Sequence, residues 1–230
     1  MLIERPPRLF RLLFPSALFR VPAGKRRMRR EVYLTFDDGP VPEVTPRVLD
    51  ILDRFGARAT FFMVGDNVRR HPELLAEVRR RGHGVGNHTM HHLQGSHVTT
   101  KRYLRDIMEA HELIGSHLFR PPHGWMRPRQ ARAMCRMFKP VMYDLVTRDY
   151  SRRLTADQVV ANVRRYARPG AVIVFHDSLK AAPRVLAALP RALEWLLAHG
   201  YAFGVLDYDV IRPNRHKDCI PSIDERHNCK

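Results

Sequence analysis

Two neighbouring carboxylates and two histidines four residues apart are the side chains of this sequence best suited to chemistry. Asp37 and Asp38 follow an apolar run at 32–36, and His88 and His92 lie about fifty residues further on. One carboxylate and two imidazoles form an open three-ligand site for a divalent metal, with a position left for water. The second carboxylate stays free to take a proton from that water, so the set favours metal-assisted hydrolysis.

Both the aspartate pair and the histidine pair begin where a predicted strand ends. The run 32–36 predicts a short strand that Gly39-Pro40 stops, and 84–87 predicts a glycine-loosened strand that leads into His88. In an α/β barrel or an open parallel sheet, active sites collect at the carboxyl ends of the strands. A plainer interpretation is that Asp-Asp-Gly-Pro is a turn and that the histidines are solvated on a helix face.

Alternating strands and helices indicate the fold class. Such alternation implies right-handed βα units and a mainly parallel sheet, and about seven units in this length predict a small, irregular α/β barrel. The predicted strands are 32–36, 60–64, 84–87, 118–120, 141–146, 171–175 and 201–205, and the predicted helices are 45–55, 72–81, 100–117, 127–138, 154–167 and 183–199.

Length and charge limit the class of protein. The 230 residues suffice for one sizeable core and are too few for two comfortable enzyme domains. The apolar fraction of 44% is ordinary for a globular protein. Lysine and arginine number 40 against 23 aspartates and glutamates, which gives a formal net charge of +17. This excess favours polyanionic partners, such as nucleic acid, acidic glycans or an anionic membrane surface.

Both ends of the chain are predicted to lie outside the main domain, which spans 31–211. The basic N-terminal arm, 1–30, is interrupted by Arg11 and broken by Pro15, so it shows no signal-peptide core and no membrane span. It either packs on the domain or touches an anionic membrane as a basic amphipathic segment. Without an export signal, we expect the protein in the cytoplasm or at the inner membrane face. The polar tail, 212–230, is expected to fray.

The three cysteines do not indicate a disulfide scaffold, and their odd number leaves at least one free thiol. Cys135 lies in an apolar, basic stretch that is predicted to be helical. Cys219 and Cys229 could pair with each other or bind a metal with His216 and His227 in the tail. Their spacing matches no established metal-binding pattern.

Five segments carry a family resemblance. They are Thr35–Gly39, His88–His92, Arg120–Gly124, Tyr143–Tyr150 and Val174–Asp177. With them the chain resembles the polysaccharide deacetylases of carbohydrate esterase family four, which share the NodB homology domain. The resemblance covers 31–210, and its first two motifs, each after a predicted strand, are the most specific. It implies a distorted (β/α)7-type barrel with fewer units than the usual eight.

The resemblance also implies a role for each site residue. Asp37 would be the general base, and Arg120 would pair with it and hold it ionised. His176 would be the general acid, and Asp149 would tune it. The metal ligands would be Asp38, His88 and His92, and the substrate and oxyanion contacts would be Pro122, His123, Tyr143 and Val174.

Departures from the family pattern are confined to the expected wall of the cleft. His123 stands where the family usually has a tyrosine, whose backbone N–H is implied to help form the oxyanion hole. Tyr143 and Tyr150 lie in a motif that commonly carries tryptophan, and Val174 replaces a common leucine in the acetate pocket. None of these changes removes a metal ligand, the base or the acid. Asp177, beside the expected acid, is predicted to cap the following helix.

The chemistry of acetamide hydrolysis agrees independently with these roles. The reaction needs an activated water, a stabilised oxyanion and a proton for the leaving amine. A divalent metal lowers the pKa of a bound water toward ~7 and polarises the amide oxygen. An imidazole with an ordinary pKa near ~6.5 suits protonation of the amine. Asp149 beside His176 would favour the charged imidazole and fix its tautomer.

The sequence therefore predicts a metal-dependent hydrolase that removes N-acetyl groups from an amino-sugar glycan or glycan precursor. Zinc is the expected ion, although cobalt or nickel would satisfy the same ligands. We expect an acetylated carbohydrate substrate, no specific nucleic acid, peripheral contact with an anionic membrane and a monomer. Two alternatives stay open: an O-acetyl esterase on xylan-type sugars, and a catalytically idle domain that binds glycans or other polyanions through its charge.

Overall fold

A curled parallel sheet forms the centre of the molecule. The computed structural model describes residues 4–22 and 30–211. Its sheet has the strand order β5-β4-β3-β2-β1-β7-β6, β8 pairs with β1, and all pairs are parallel. This half-barrel confirms the predicted α/β barrel class. The strands are β1 (Arg30–Asp37), β2 (Ala59–Met63), β3 (Gly84–Asn87), β4 (Leu118–Phe119), β5 (Lys139–Pro140), β6 (Leu145–Val146), β7 (Val172–His176) and β8 (Tyr201–Phe203).

Amphipathic helices connect the strands and cover the sheet. The helices within the described ranges are α1 (Arg8–Leu12), α2 (Thr45–Arg54), α3 (Gly65–Arg70), α4 (Pro72–Arg80), α5 (Thr100–Ile114), α6 (Pro128–Met134), α7 (Ala156–Tyr166), α8 (Ala182–Ala198) and α9 (Tyr208–Ile211). Helix α7 begins with a capping box, in which Thr155 and Gln158 exchange side-chain-to-backbone hydrogen bonds. Among these described helices, none has the length and apolar character needed to cross a membrane.

Two predicted elements differ from the structure. The predicted strand 141–146 is wrong except at its end, because its backbone N–H groups bond to three different segments, β4, β7 and the N-terminal arm, instead of one neighbouring strand. Met142 donates to the carbonyl of Leu18, whereas Asp144, with no exposed side chain, donates to Val172. The helix predicted at 127–138 ends at Met134. The other predicted helices and buried strands lie within a few residues of their predicted bounds.

The described part of the N-terminal arm, 4–22, lies across the open side of the half-barrel. At one edge of the sheet, Leu18 donates its backbone N–H to the carbonyl of Pro140 in β5. At the other edge, Val146 of β6 donates to the carbonyl of Glu4. Unpaired sheet edges invite association with other chains, and here the arm covers both. The cysteines and histidines of the C-terminal tail lie outside the described residues.

The two central strands determine which side chains meet at the site. Strand β1 pairs with β7 in a register that sets Asp37 beside His176. The apolar members of these strands pack under the helices; Phe36, for example, stacks between Phe61 and Phe175. The fold thus buries the strands and brings their polar last residues to one edge of the sheet.

Candidate active site

The carboxyl ends of β1, β3, β4 and β7 converge on one cleft of about 330 Å³. Nine of the eleven predicted site residues line it, and the other two, Pro122 and Asp149, are buried next to the lining residues His123 and His176. The cleft is lined by Asp37, Asp38, His88, His92, Arg120, His123, Gly124, Tyr143, Val146, Tyr150, Val174, His176 and Lys180.

Three of these side chains form a compact donor set. Asp38 Oδ1 lies 3.1 Å from His92 Nε2 and 3.6 Å from His88 Nε2. All three donor atoms lie within 4.8 Å of one another, and no other such group of His, Cys, Asp or Glu occurs in the described ranges. Two ligands about 2.0–2.1 Å from one tetrahedral ion are separated by about 3.3 Å, so the donors fit a metal such as zinc.

Local hydrogen bonds orient these donors. The Nδ1 of His88 lies 2.8 Å from the carbonyl of Arg120, which can only accept. The proton therefore lies on Nδ1, and the lone pair of Nε2 faces Asp38. The segment from His88 to His92 is a loop, not a helix, and Leu93 donates its N–H to the Thr89 hydroxyl across it.

A buried arginine holds the second carboxylate. Arg120 is 1% exposed, and its Nη1 donates to Asp37 Oδ1 at 2.6 Å and to Thr35 Oγ1 at 2.7 Å. Its Nε and Nη2 donate to the carbonyls of Val141 and Met142. A planar guanidinium fixed by four acceptors leaves Asp37 little freedom to turn. The structure therefore holds Asp37 at the cleft beside, but separate from, the metal-type donor set.

A buried histidine–aspartate pair lies across the cleft from the donor set. The carboxylate of Asp149, which is fully buried, accepts both the backbone N–H and the Nδ1–H of His176 at 2.8 Å. Burial alone would lower the pKa of His176, but Asp149 and the carboxylates of Asp38 and Asp37 raise it to about 9. The imidazolium is therefore the form present at neutral pH, with its Nε2 available to the cleft.

We expect the His176 imidazole to titrate with a midpoint of about 9 in metal-free protein. Because this exceeds the ordinary value of about 6.5, protonation stabilises the fold below about pH 6.5, and that contribution is lost as the pH rises through 9. Asp149→Asn should lower the midpoint by about one unit or more. Imidazole NMR titration in chelator measures both midpoints. His83, whose pKa burial lowers to about 4, is an internal reference, and an unchanged His176 midpoint in the variant contradicts the pairing.

An apolar wall faces the polar groups. Tyr143, Val146, Val174 and Tyr150 form one cluster, with the first three at most 9% exposed. Burial raises the pKa of Tyr143 to about 12, so its phenol is neutral and can donate a hydrogen bond. A wall of this kind excludes water and offers space to a small apolar group such as a methyl.

Asp177 has a different role from the predicted helix cap. The residue that caps α8 is Ala181, and the Asp177 carboxylate turns instead toward the loop after β1. It accepts the N–H of Gly39 at 3.1 Å and the hydroxyl of Thr45 at 2.6 Å. A Cβ on Gly39 would lie 2.0 Å from Asp177 Oδ2, so only glycine fits there. Asp177 thus anchors the loop that presents Asp38.

Strained backbone concentrates at this cleft. Non-glycine residues with positive φ in the described ranges are Asp38, Thr89, His92, His123 and Arg148, with φ from 53° to 78°. Such conformations cost about 1–3 kcal/mol each and persist where surrounding contacts enforce them. Asn67, whose side-chain amide donates to the Asp38 carbonyl at 2.8 Å, is one of those contacts. Two of the metal-type donors are therefore held in conformations that most residues avoid.

Four members of the cleft lining have no site role predicted from the sequence: Gly124, Val146, Tyr150 and Lys180. The first three lie within the segments that carry the family resemblance, whereas Lys180 does not. Lys180 lies after β7, with Nζ 5.7 Å from the centre of the Tyr150 ring. It is one of many basic residues and follows no motif, so only the fold identifies it. His123 lies in the predicted place, its ring 4.8 Å from that of His92. Its pKa lies below the ordinary value because it is partly buried near two other histidines.

Known proteins resemble this chain in sequence and fold. A family model described as polysaccharide deacetylase matches residues 24–137. A peptidoglycan-N-acetylglucosamine deacetylase of Bacillus cereus is 34% identical over 184 residues, which are 75% of this chain and 84% of the relative. A chitooligosaccharide deacetylase of Rhizobium leguminosarum bv. trifolii is 38% identical over 156 residues, 64% and 72% of the two chains. A crystal structure of a peptidoglycan N-acetylglucosamine deacetylase matches with a TM-score of 0.79 and 28% identity, covering 87% of this chain and 95% of that one.

Proposed function

The chain belongs to the polysaccharide deacetylase family, and from this premise we propose that it hydrolyses N-acetyl groups on an amino-sugar glycan or glycan precursor. The observation that carries the proposal is one cleft with three elements: a metal-type donor set, a carboxylate held by Arg120, and a charged histidine opposite. The two relatives that act on N-acetylglucosamine or chitooligosaccharides support the choice of substrate class.

The donor set supports a divalent metal, and we propose zinc held by Asp38, His88 and His92. One carboxylate and two imidazoles are ordinary zinc ligands, while cobalt and nickel fit the same set. Such an ion would polarise the acetyl oxygen and lower the pKa of a water molecule beside it.

Asp37 is proposed as the general base. Its carboxylate would accept a proton from the water whose oxygen attacks the acetyl carbon. The hydrogen bond from Arg120 at 2.6 Å orients Asp37, and the next residue, Asp38, would be a ligand of the metal, so the base would lie beside the metal site. General-base assistance of this kind contributes about 10²–10⁴ to a rate.

His176 is proposed as the general acid. When the C–N bond breaks, the amino-sugar nitrogen needs a proton, and the charged imidazole can donate one from Nε2 while Asp149 keeps the other ring nitrogen bonded. The apolar cluster of Tyr143, Val146, Val174 and Tyr150 would hold the acetyl methyl group. Pro122 and His123 are proposed to shape the oxyanion side of the cleft. Acetate and the free amine are the products.

Acetate release tests this function directly. Protein is stripped with a chelator, reloaded with zinc, cobalt or nickel, and given N-acetylglucosamine oligomers, peptidoglycan fragments and O-acetylated xylan. We expect metal-restored release from the amide substrates, and its loss in His88→Ala. The control variant His71→Ala changes a histidine that lies outside the cleft lining and should keep full activity.

The alternatives predict other outcomes. Faster release from O-acetylated xylan than from every amide would make the protein an esterase. Tight metal and glycan binding with no release from any substrate would favour the idle binding domain. A cytoplasmic or inner-membrane location, a monomeric state and the absence of specific nucleic-acid binding stay predictions.

A further inference from the structure

A second cavity, on the side of the molecule covered by the N-terminal arm, is lined by arginines. Its volume is about 470 Å³, and its lining shares no residue with the catalytic cleft. Beside Pro6, it is formed by Arg5, Arg11, Arg20 and Arg168. We call this space the arginine cavity. Its location at the amino end of β7 follows from the bridge between Arg20 and Ala171.

The buried carboxylate of Asp144 neutralises only part of the positive charge of the arginine cavity. Asp144 is fully buried and bonds to Arg11 Nη2 at 2.8 Å and to Arg168 Nε at 2.6 Å. Arg5 lies 3.9 Å from the same carboxylate. The four guanidinium groups and this one carboxylate leave an excess of three positive charges in the lining. Asp144 therefore binds Arg11 and Arg168 and contacts Arg5 only at long range, and it does not pair with Arg20.

The arginine cavity also contains an unused hydrogen-bond donor. The Nε of Arg11 is buried and has no hydrogen-bond partner within the described structure. A buried N–H without an acceptor is costly, so Asp144 does not satisfy Arg11 fully. Guanidinium groups bind phosphate oxygens with matched, often bidentate geometry. The chemistry of the cavity therefore fits a phosphate group.

Exposed leucines lie on the same short segment. Leu9, Leu12 and Leu13 are 72%, 74% and 44% exposed. Seven large apolar side chains are at least 39% exposed in the described ranges, and three of them fall within the five residues from Leu9 to Leu13. Their exposure is not due to poor packing of the arm, because Phe10 and Phe14 pack against Trp125 on its inner side. The segment that contributes Arg11 to the cavity thus also carries exposed apolar side chains.

We propose that this surface docks on an anionic phospholipid membrane, with a headgroup phosphate in the arginine cavity and the leucines in the interface. In α1, Leu9 and Leu12 are three residues apart and share a face, and Arg11 lies on its flank. Apolar side chains flanked by arginines are the arrangement that binds anionic membrane surfaces peripherally. The site is independent of the acetate-releasing chemistry, because none of its residues lines the cleft.

Vesicle sedimentation tests the arginines. Full-length protein is mixed with phosphatidylcholine vesicles that contain, or lack, about one quarter phosphatidylglycerol. We expect binding only to the anionic vesicles, reduced more than about tenfold in Arg5→Gln/Arg20→Gln. This variant keeps Arg11 and Arg168, so Asp144 stays paired. The matched control, Arg47→Gln/Arg54→Gln, removes two exposed arginines from α2 and the same net charge.

A second pair of variants tests the leucines. Leu9→Gln/Leu12→Gln should weaken vesicle binding at least as strongly, whereas Leu113→Gln/Leu197→Gln, at leucines 39% and 43% exposed elsewhere, should not. Thermal unfolding tests whether each variant is folded. If Arg5→Gln perturbs the arm, Arg20→Gln alone is used in place of Arg5→Gln/Arg20→Gln.

Three results would overturn the proposal. In the first, the cavity and control arginine pairs weaken binding equally, so net charge alone is responsible. In the second, the leucine pair has no effect. In the third, inorganic phosphate without lipid stabilises the protein through Arg5 and Arg20 while vesicles do not bind, which would make the cavity a site for free phosphate.

Discussion

Asp37→Asn is expected to lower kcat by about 10²–10⁴ while the protein still binds one equivalent of metal. In the wild-type protein, Arg120 Nη1 donates to Asp37 Oδ1 at 2.6 Å. Because asparagine keeps an oxygen that can accept this hydrogen bond, the fold and the cleft should persist. What is lost is the ability to take a proton from water. Initial rates of acetate release on N-acetylglucosamine oligomers, together with metal stoichiometry after dialysis, measure the two effects separately.

The neighbouring carboxylate provides the matched control. Asp38→Asn weakens one member of the donor set, so it should lower metal affinity and activity together, and excess metal should restore part of the rate. Asp37→Asn should not respond to added metal. If Asp37→Asn instead keeps more than about a tenth of the rate, or loses the metal as Asp38→Asn does, Asp37 is not the base.

The elements that the sequence predicts best are those where local pattern and burial agree. Strand β7 is wholly apolar until His176, and α2 combines a proline in its first turn with an apolar face, so both are predicted within about a residue. The run 141–146 is equally apolar at its ends but contains Asp144. Its hydrogen bonds go to β4, to the arm and to β7, which no local pattern reveals.

Sequence motifs identify the residues of the site but do not predict their backbone conformations. Asp38, His92 and His123 all have positive φ, and at Asp38 a contact from a distant segment, the Asn67 amide on the Asp38 carbonyl, supports that conformation. Tertiary contacts also decide the role of Asp177. The sequence predicts that it caps a helix, but in the structure it anchors the loop after β1. Lys180 enters the cleft only because of where the chain leaves β7. Tertiary contacts decide such positions, and one sequence does not show them.

Arg120→Met is expected to be the most destabilising single substitution in the site, with a loss of about 3–5 kcal/mol in the free energy of unfolding. Methionine has a similar length but donates no hydrogen bonds, so it leaves the Asp37 carboxylate and the carbonyls of Val141 and Met142 without their donor. Arg120 also lies over the ring of Phe62, 4.1 Å from its centre, and that contact is lost as well. Urea unfolding in chelator measures the loss without a contribution from bound metal.

A double-mutant cycle separates the charge pair from the other bonds. Asp37→Asn/Arg120→Met has no unpaired carboxylate, so it should be more stable than Arg120→Met alone by about 1–3 kcal/mol. That sign is distinctive, because two independent destabilising changes would add. If the double variant is as unstable as the sum of the single variants, Arg120 supports the strand carbonyls and Phe62 but does not hold Asp37. If it recovers stability as expected, the pair of Arg120 and Asp37 links the stability of the cleft to the orientation of the proposed base.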